Sequence, residues 1–316
     1  MRNLMNLCFA CFALFGCSGG SDLPRIAADG TPLAEGFDPP PQPDNALQLV
    51  SPILKDFPPG GNTEFCYYTK TTLKSEIIIK AGQGYQTPGG HHVVVYWTKK
   101  PRPEQIHECT EDDMTSLHAL SGGGAEAGNG IINSLPEGTA FHVPAGAQLV
   151  MNVHMLNATQ KPIDGQAVAN IFYGDPSATS ISSFFVTGTG IDIAPGETKS
   201  YTASCAAKYP LKVVRMVGHM HEWGTRNVVT MTQGSGNPKV YYDKPGAMDF
   251  SYDPPAVDYP VAAPLEINVG DKIAVTCTWN NTTGKPLRFP TEMCAVFGYV
   301  LGNEPERGCA DGEWNN

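Results

Sequence analysis

Eight histidines run through the chain: His91, His92, His107, His118, His142, His154, His219 and His221. Imidazole is the commonest protein ligand for metals and suits Zn, Cu, Fe and Ni alike. Three features set five of these residues apart. His91-His92 follows Gly89-Gly90 and opens the β-rich run Val93-Val94-Val95-Tyr96-Trp97. Strict alternation would point the two rings to opposite faces, but a strand mouth beside two glycines can relax that rule. His154 lies in Leu149-Val150-Met151-Asn152-Val153-His154-Met155, where it shares one face with Asn152 and the apolar residues share the other. His219-Met220-His221 has the i, i+2 spacing that puts both imidazoles on one face of a strand, a two-point metal grip. His107, His118 and His142 stand in polar or loop contexts and read as structural or surface residues. Met293, taken alone, reads as core.

Ligands placed this way need strands to hold them. Of 316 residues only 16% are charged, below the roughly 25% of an average soluble domain, while Gly and Pro number 34 and 27. This composition disfavours long helices and polar disorder, and suits many short strands joined by turns. Runs such as Ile77-Ile78-Ile79, residues 149–156 and residues 273–279 are separated by clusters such as Thr87-Pro88-Gly89-Gly90 and Pro144-Ala145-Gly146. The spacing predicts an all-β chain of antiparallel β-sandwiches or jelly rolls. At about 150 residues per domain the length suggests two domains. The cluster at 174–178 would divide them into 48–176 and 177–316. No sequence-level repeat stands out.

The ends and the cysteines place the chain in the cell. Residues 1–16 hold one Arg and then the apolar run Leu7 to Phe15, too short for a permanent span, which reads as a signal peptide. Leu14-Phe15-Gly16-Cys17 resembles a bacterial lipobox, which makes Cys17 the lipidation site. Residues 17–47, rich in Pro and Gly, read as an extended tether. The expected location is the cell envelope, lipid-anchored, with Ser18 favouring the outer membrane by analogy with other lipoproteins. Membrane contact is expected through the anchor only. Net charge is -10 and no long basic run is present, which argues against nucleic acid as a partner. Of nine cysteines, Cys8 and Cys11 leave with the signal and Cys17 takes lipid. The six that remain imply three disulfides in an exported chain, with fifteen pairings open.

Gly90-His91-His92-Val93, Val153-His154, His219-Met220-His221 and Glu292-Met293-Cys294 occur in that order. This resembles the copper type II, ascorbate-dependent monooxygenases, which include peptidylglycine α-hydroxylating and dopamine β-monooxygenases. Ile193-Ala194-Pro195-Gly196-Glu197 is similar to a family turn, and Thr276-Cys277-Thr278-Trp279-Asn280 to the stretch before the family's Met-Cys pair. The resemblance covers roughly residues 60 to 310. It implies two tandem jelly-roll domains, each holding one copper. His91, His92 and His154 match the site that stores an electron from ascorbate or another one-electron reductant. His219, His221 and Met293 match the site where O2 binds and a C–H bond is hydroxylated. It also implies the disulfides Cys66–Cys109, Cys205–Cys309 and Cys277–Cys294.

The departures concern substrate. An amidating enzyme holds a peptide carboxylate with an Arg, an Asn and a Tyr; Val217, Ala295 and Phe297 stand at those positions here. A carboxylate facing that wall would lack hydrogen bonds, at a cost of roughly several kcal/mol. The expected substrate is therefore a small apolar or aromatic molecule. The competing expectation is a non-catalytic, extracytoplasmic copper-binding lipoprotein that has kept the ligands.

Overall fold

The computed structural model describes residues 25–123, 130–245, 254–289, 291–302 and 306–314. The expected signal peptide and Cys17 lie outside the described residues. Strands dominate, and the α-helix Glu111–Ser116 is a six-residue turn capped by Thr110. No helix of the described residues is long and apolar enough to cross a membrane.

Alternation builds the strands. In Lys272–Asn280 the side chains of Ile273, Val275, Cys277 and Trp279 are buried and those between them are not. Gln148–Leu156 breaks this pattern because both of its faces are covered. Leu149, Met151, Val153 and Met155 enter one core, while Val150 packs on the other side with Cys66 and Tyr68. Only towards its end, at His154, does the strand emerge half-buried.

The chain forms sheets stacked around two main cores. One five-stranded sheet runs in the order Gln105–Glu108, Asn62–Thr72, Gln148–Leu156, Gly90–Thr98, His118–Gly123. Against it pack Ala46–Val50, Ala167–Tyr173, Ile77–Gln86 and Thr139–Val143. A four-stranded sheet runs Thr198–Ala206, Lys272–Asn280, Gly224–Thr232, Lys239–Pro245. Its partner strands include Thr179–Gly188, Cys294–Leu301 and Leu211–His219. A short parallel pairing of Thr179 and Ser180 with Thr139 and Ala140 makes one twelve-stranded sheet across the two halves. The seam is packed as well as hydrogen-bonded. Ile181 and Val214 are buried in the N-terminal core, Phe141 meets Tyr299 edge-on at 5.4 Å, and Arg215 Nη1 donates to the Ser134 carbonyl.

Three disulfides close the described cysteines: Cys66–Cys109, Cys205–Cys309 and Cys277–Cys294. These are the pairs that the resemblance implies.

A short repeat appears at one corner of each half. Asn157 and Asn281 follow Gln148–Leu156 and Lys272–Asn280, and both are fully buried. Asn157 Nδ2 donates to the carbonyls of Phe57 (3.0 Å) and Lys161 (2.8 Å), and its Oδ1 accepts from Thr159 N and Oγ1. Asn281 makes the same set with Ile193 (3.0 Å), Lys285 (2.8 Å) and Thr283. The shared pattern is Asn, Thr two residues on, and Lys-Pro after that, at 157–162 and 281–286.

The expected tether is corrected by the fold. Within 25–47, Ala34 and Phe37 are buried against Val50 and Val168. The Gln166 amide donates to Pro32 O (2.8 Å) and Ser51 O (2.9 Å) and accepts from Ala34 N (2.8 Å). Few apolar side chains suffice here because the sheet supplies the opposing face.

Candidate metal centre

His91 and His92 point to one side because the strand carries a bulge. Across from Gly90–Thr98, His154 pairs with His92 while Met155 pairs with Gly90, so His91 is an extra residue on its strand. One ligand nitrogen from each of His91, His92 and His154 falls within 4.8 Å of the others. The Nδ1 atoms of His91 and His92 are 2.9 Å apart, within hydrogen-bonding distance of each other. The His154 ring lies 4.6 and 4.8 Å from theirs, centre to centre.

Polar neighbours fix these rings. Gln86 Nε2 donates to the carbonyls of His92 (3.1 Å) and His154 (3.2 Å), tying the two strands together. Position 90 must be Gly, since a Cβ there would sit 2.3 Å from the Gln86 Cβ. Asn62 Oδ1 lies 2.6 Å from His154 Nε2, so that nitrogen carries the proton and donates it. His154 Nδ1 is thereby left with its lone pair, buried and without a hydrogen-bond partner.

The second group lies at the end of Leu211–His219 and in the link beyond it. The His219 and His221 rings are 5.1 Å apart, and Met220 between them is fully buried. His221 Nδ1 donates to the Thr291 carbonyl at 3.0 Å, which leaves Nε2 as its free lone pair. Thr291 lies two residues before Met293, which is half-buried. Glu292, fully buried, accepts from His221 N (3.0 Å), Trp223 N (2.9 Å) and Trp279 Nε1 (2.8 Å).

Electrostatics links the two groups. Burial, then the imidazoles of His154, His91, His219 and His221, hold His92 well below the ordinary histidine range. Burial pushes His154 down to about 4, with His91 and His221 helping and Glu64 opposing. His219 falls to about 3 through burial, His221 and His91. Charging one ring therefore opposes charging the others across both groups. His92, His154 and His219 therefore stay neutral at pH 7, the form that binds metal. The orphaned His154 Nδ1 and the convergence of three imidazoles fit a late first-row ion.

Beside His219 the sheet face is apolar. Phe297 is 39% exposed, edge-on to His219 at 5.6 Å and 6.1 Å from Phe185. Val217 pairs with Phe297 across the strands and is half-buried. Ala295, opposite His219, is fully buried. The nearby Arg215 is engaged, donating twice to Asp258 at 2.6 Å. The remaining histidines lie outside both groups. His107 bonds Asp113 at 2.9 Å, His142 bonds the Ala178 carbonyl at 3.0 Å, and His118 lies against Trp97 at 4.4 Å.

Sequence reasoning missed the polar supports Gln86, Asn62 and Glu292. Only Glu292 left a signal, as a neighbour of Met293. Asn152 lies on the His154 face of the strand as expected, and there it bonds Glu64 at 2.8 Å and Cys109 Sγ.

No protein-family model matches the chain, and no curated protein does. Among solved structures it is similar to N-glycanase F (PNGase F), with a TM-score of 0.36 and 12% identity over 83% of this chain and 97% of that one. Likeness at that level transfers nothing about activity.

Proposed function

We propose that the protein is a copper-dependent monooxygenase that hydroxylates a C–H bond of a small apolar substrate with O2 and ascorbate or a similar reductant. The observation that carries the reading is the convergence of His91, His92 and His154, with a lone pair of His154 held free. The family resemblance supplies the metal's identity and the tandem jelly-roll organisation, 48–176 and 177–316. Cys17 would anchor the chain to the envelope.

Copper, when bound, supplies one-electron transfer and activation of O2. The chain supplies the rest. His91, His92 and His154 would hold one ion through nitrogen alone, with Asn62 fixing the tautomer of His154. His219, His221 and the Met293 thioether would hold the second, where the soft sulfur favours Cu(I). Phe297, Phe185 and Val217 offer the substrate an apolar seat beside His219. Arg215 is already paired, so no guanidinium waits there for a substrate carboxylate.

The test is copper per chain in a soluble form lacking residues 1–17, after loading and dialysis. Two tightly held coppers are expected, falling to one when His91 and His92 become Ala. Ascorbate-dependent O2 uptake coupled to product then identifies the enzyme. Uncoupled peroxide release alone would favour the copper-binding lipoprotein.

A further inference from the structure

We propose that Glu292 is a positioning residue that assembles the His219, His221 and Met293 site; this rests on the copper reading above. Two ligand-bearing segments far apart in sequence must meet at this site. The link 220–223 carries His221, and the segment 291–293 carries Met293. The Glu292 carboxylate, fully buried, accepts the backbone N–H of His221 and of Trp223, and so grips the link at two points. Its third donor, Trp279 Nε1, belongs to the central strand Lys272–Asn280 and anchors the clamp to the sheet. The Glu292 backbone N–H is itself tied to the Arg288 carbonyl at 2.9 Å. The neighbouring Cys294 is joined to Cys277 on the same central strand. Met293 is therefore flanked on both sides by fixed residues. All three donors to the carboxylate are uncharged N–H groups, so the side chain must only accept. Gln166 occupies a comparable place before Ala167–Tyr173 in the other half, but it both donates and accepts, and it fastens Pro32 and Ala34 rather than a ligand link. A carboxamide in place of Glu292 would turn an NH2 toward N–H donors and release the link.

The experiment uses the full chain loaded with Cu(I) alone. Competitive chelator titration gives the affinity of each site, and X-ray absorption reads the Cu–S contribution of Met293. Glu292→Gln should weaken the sulfur-containing site about 10–100-fold and remove the Cu–S signal, leaving the His91, His92 and His154 site unchanged as an internal control for folding. Unchanged affinity with an intact Cu–S signal would overturn the proposal. Should Glu292→Gln fail to fold, amide exchange in the metal-free wild type decides. Slow exchange at His221 N and Trp223 N is expected, and exchange as fast as at exposed link amides would overturn it. A wild type that takes copper without any Cu–S signal would instead refute the copper reading at His219, His221 and Met293, whatever the amides do.

Discussion

His92, His154 and His221 are each held by a neighbour with no metal chemistry of its own. Gln86 and Asn62 hold His154 and His92 in place, and Thr291 sets the tautomer of His221. Met293→Ile should abolish product formation and the Cu–S signal while the three-imidazole site still loads one copper; retained turnover would sink the ligand assignment. A second residue-scale prediction lies away from the metal. Asp113 is fully buried, accepting from Tyr68 Oη (2.7 Å), Arg102 Nη1 (2.8 Å) and Thr110 N (2.9 Å). Burial alone would raise its carboxyl, but hydrogen bonds from Thr110, Tyr68 and His107 prevail and hold it far below the usual range. Its folded pKa is below the unfolded one, so its contribution is complete above about pH 4 and fades as pH falls further. Asp113→Asn should cost about 3 kcal/mol at pH 7, measured by denaturant unfolding, and the deficit should shrink in acid. The converging histidines His91, His92 and His154 were legible in the sequence because a rare residue type at fixed spacing stands out. Gln86, Asn62 and Glu292 were not, since a buried amide or carboxylate declares itself only through partners far along the chain.

Strands and turns were legible too, where alternation and glycine placed them. The bulge at His91 was not, because it exists only in the register between two strands. Sequence alternation alone would have separated His91 from His92. The early segment was misjudged for a related reason: Ala34 and Phe37 are too few to mark an element, yet enough to cover a sheet. At this scale the Cys277–Cys294 bond staples Cys294–Leu301, the strand that Met293 precedes, to Lys272–Asn280 in the other sheet across 17 residues of sequence. Replacing both cysteines by Ala should cost about 3 kcal/mol by the loop-entropy argument, read as a lower denaturation midpoint. It should also loosen copper at the sulfur site more than at the three-imidazole site. Equal loosening at both would argue against the staple acting locally.

Across the whole molecule, the seam between the halves carries a titratable group. Glu306 lines a small cavity there with Trp97, His118, His142 and Ser182. Burial raises its carboxyl to about 7. A carboxyl whose folded pKa exceeds its unfolded value gives stability present below about pH 4 and lost as pH rises through 7. Glu306→Gln should therefore match the wild type at pH 4 and exceed its Tm at pH 8; equal values at pH 8 would refute this. The twin corners bear on how the chain is made. Asn157-Ala158-Thr159 and Asn281-Thr282-Thr283 both match the acceptor pattern for N-linked glycans. In the fold, both asparagine amides are inside and committed to backbone carbonyls. Chains passed through a eukaryotic secretory host could acquire sugar at these positions only before the corners close. A glycan found there by mass spectrometry would mark molecules that never completed that corner, and those molecules should be separated before any copper is counted.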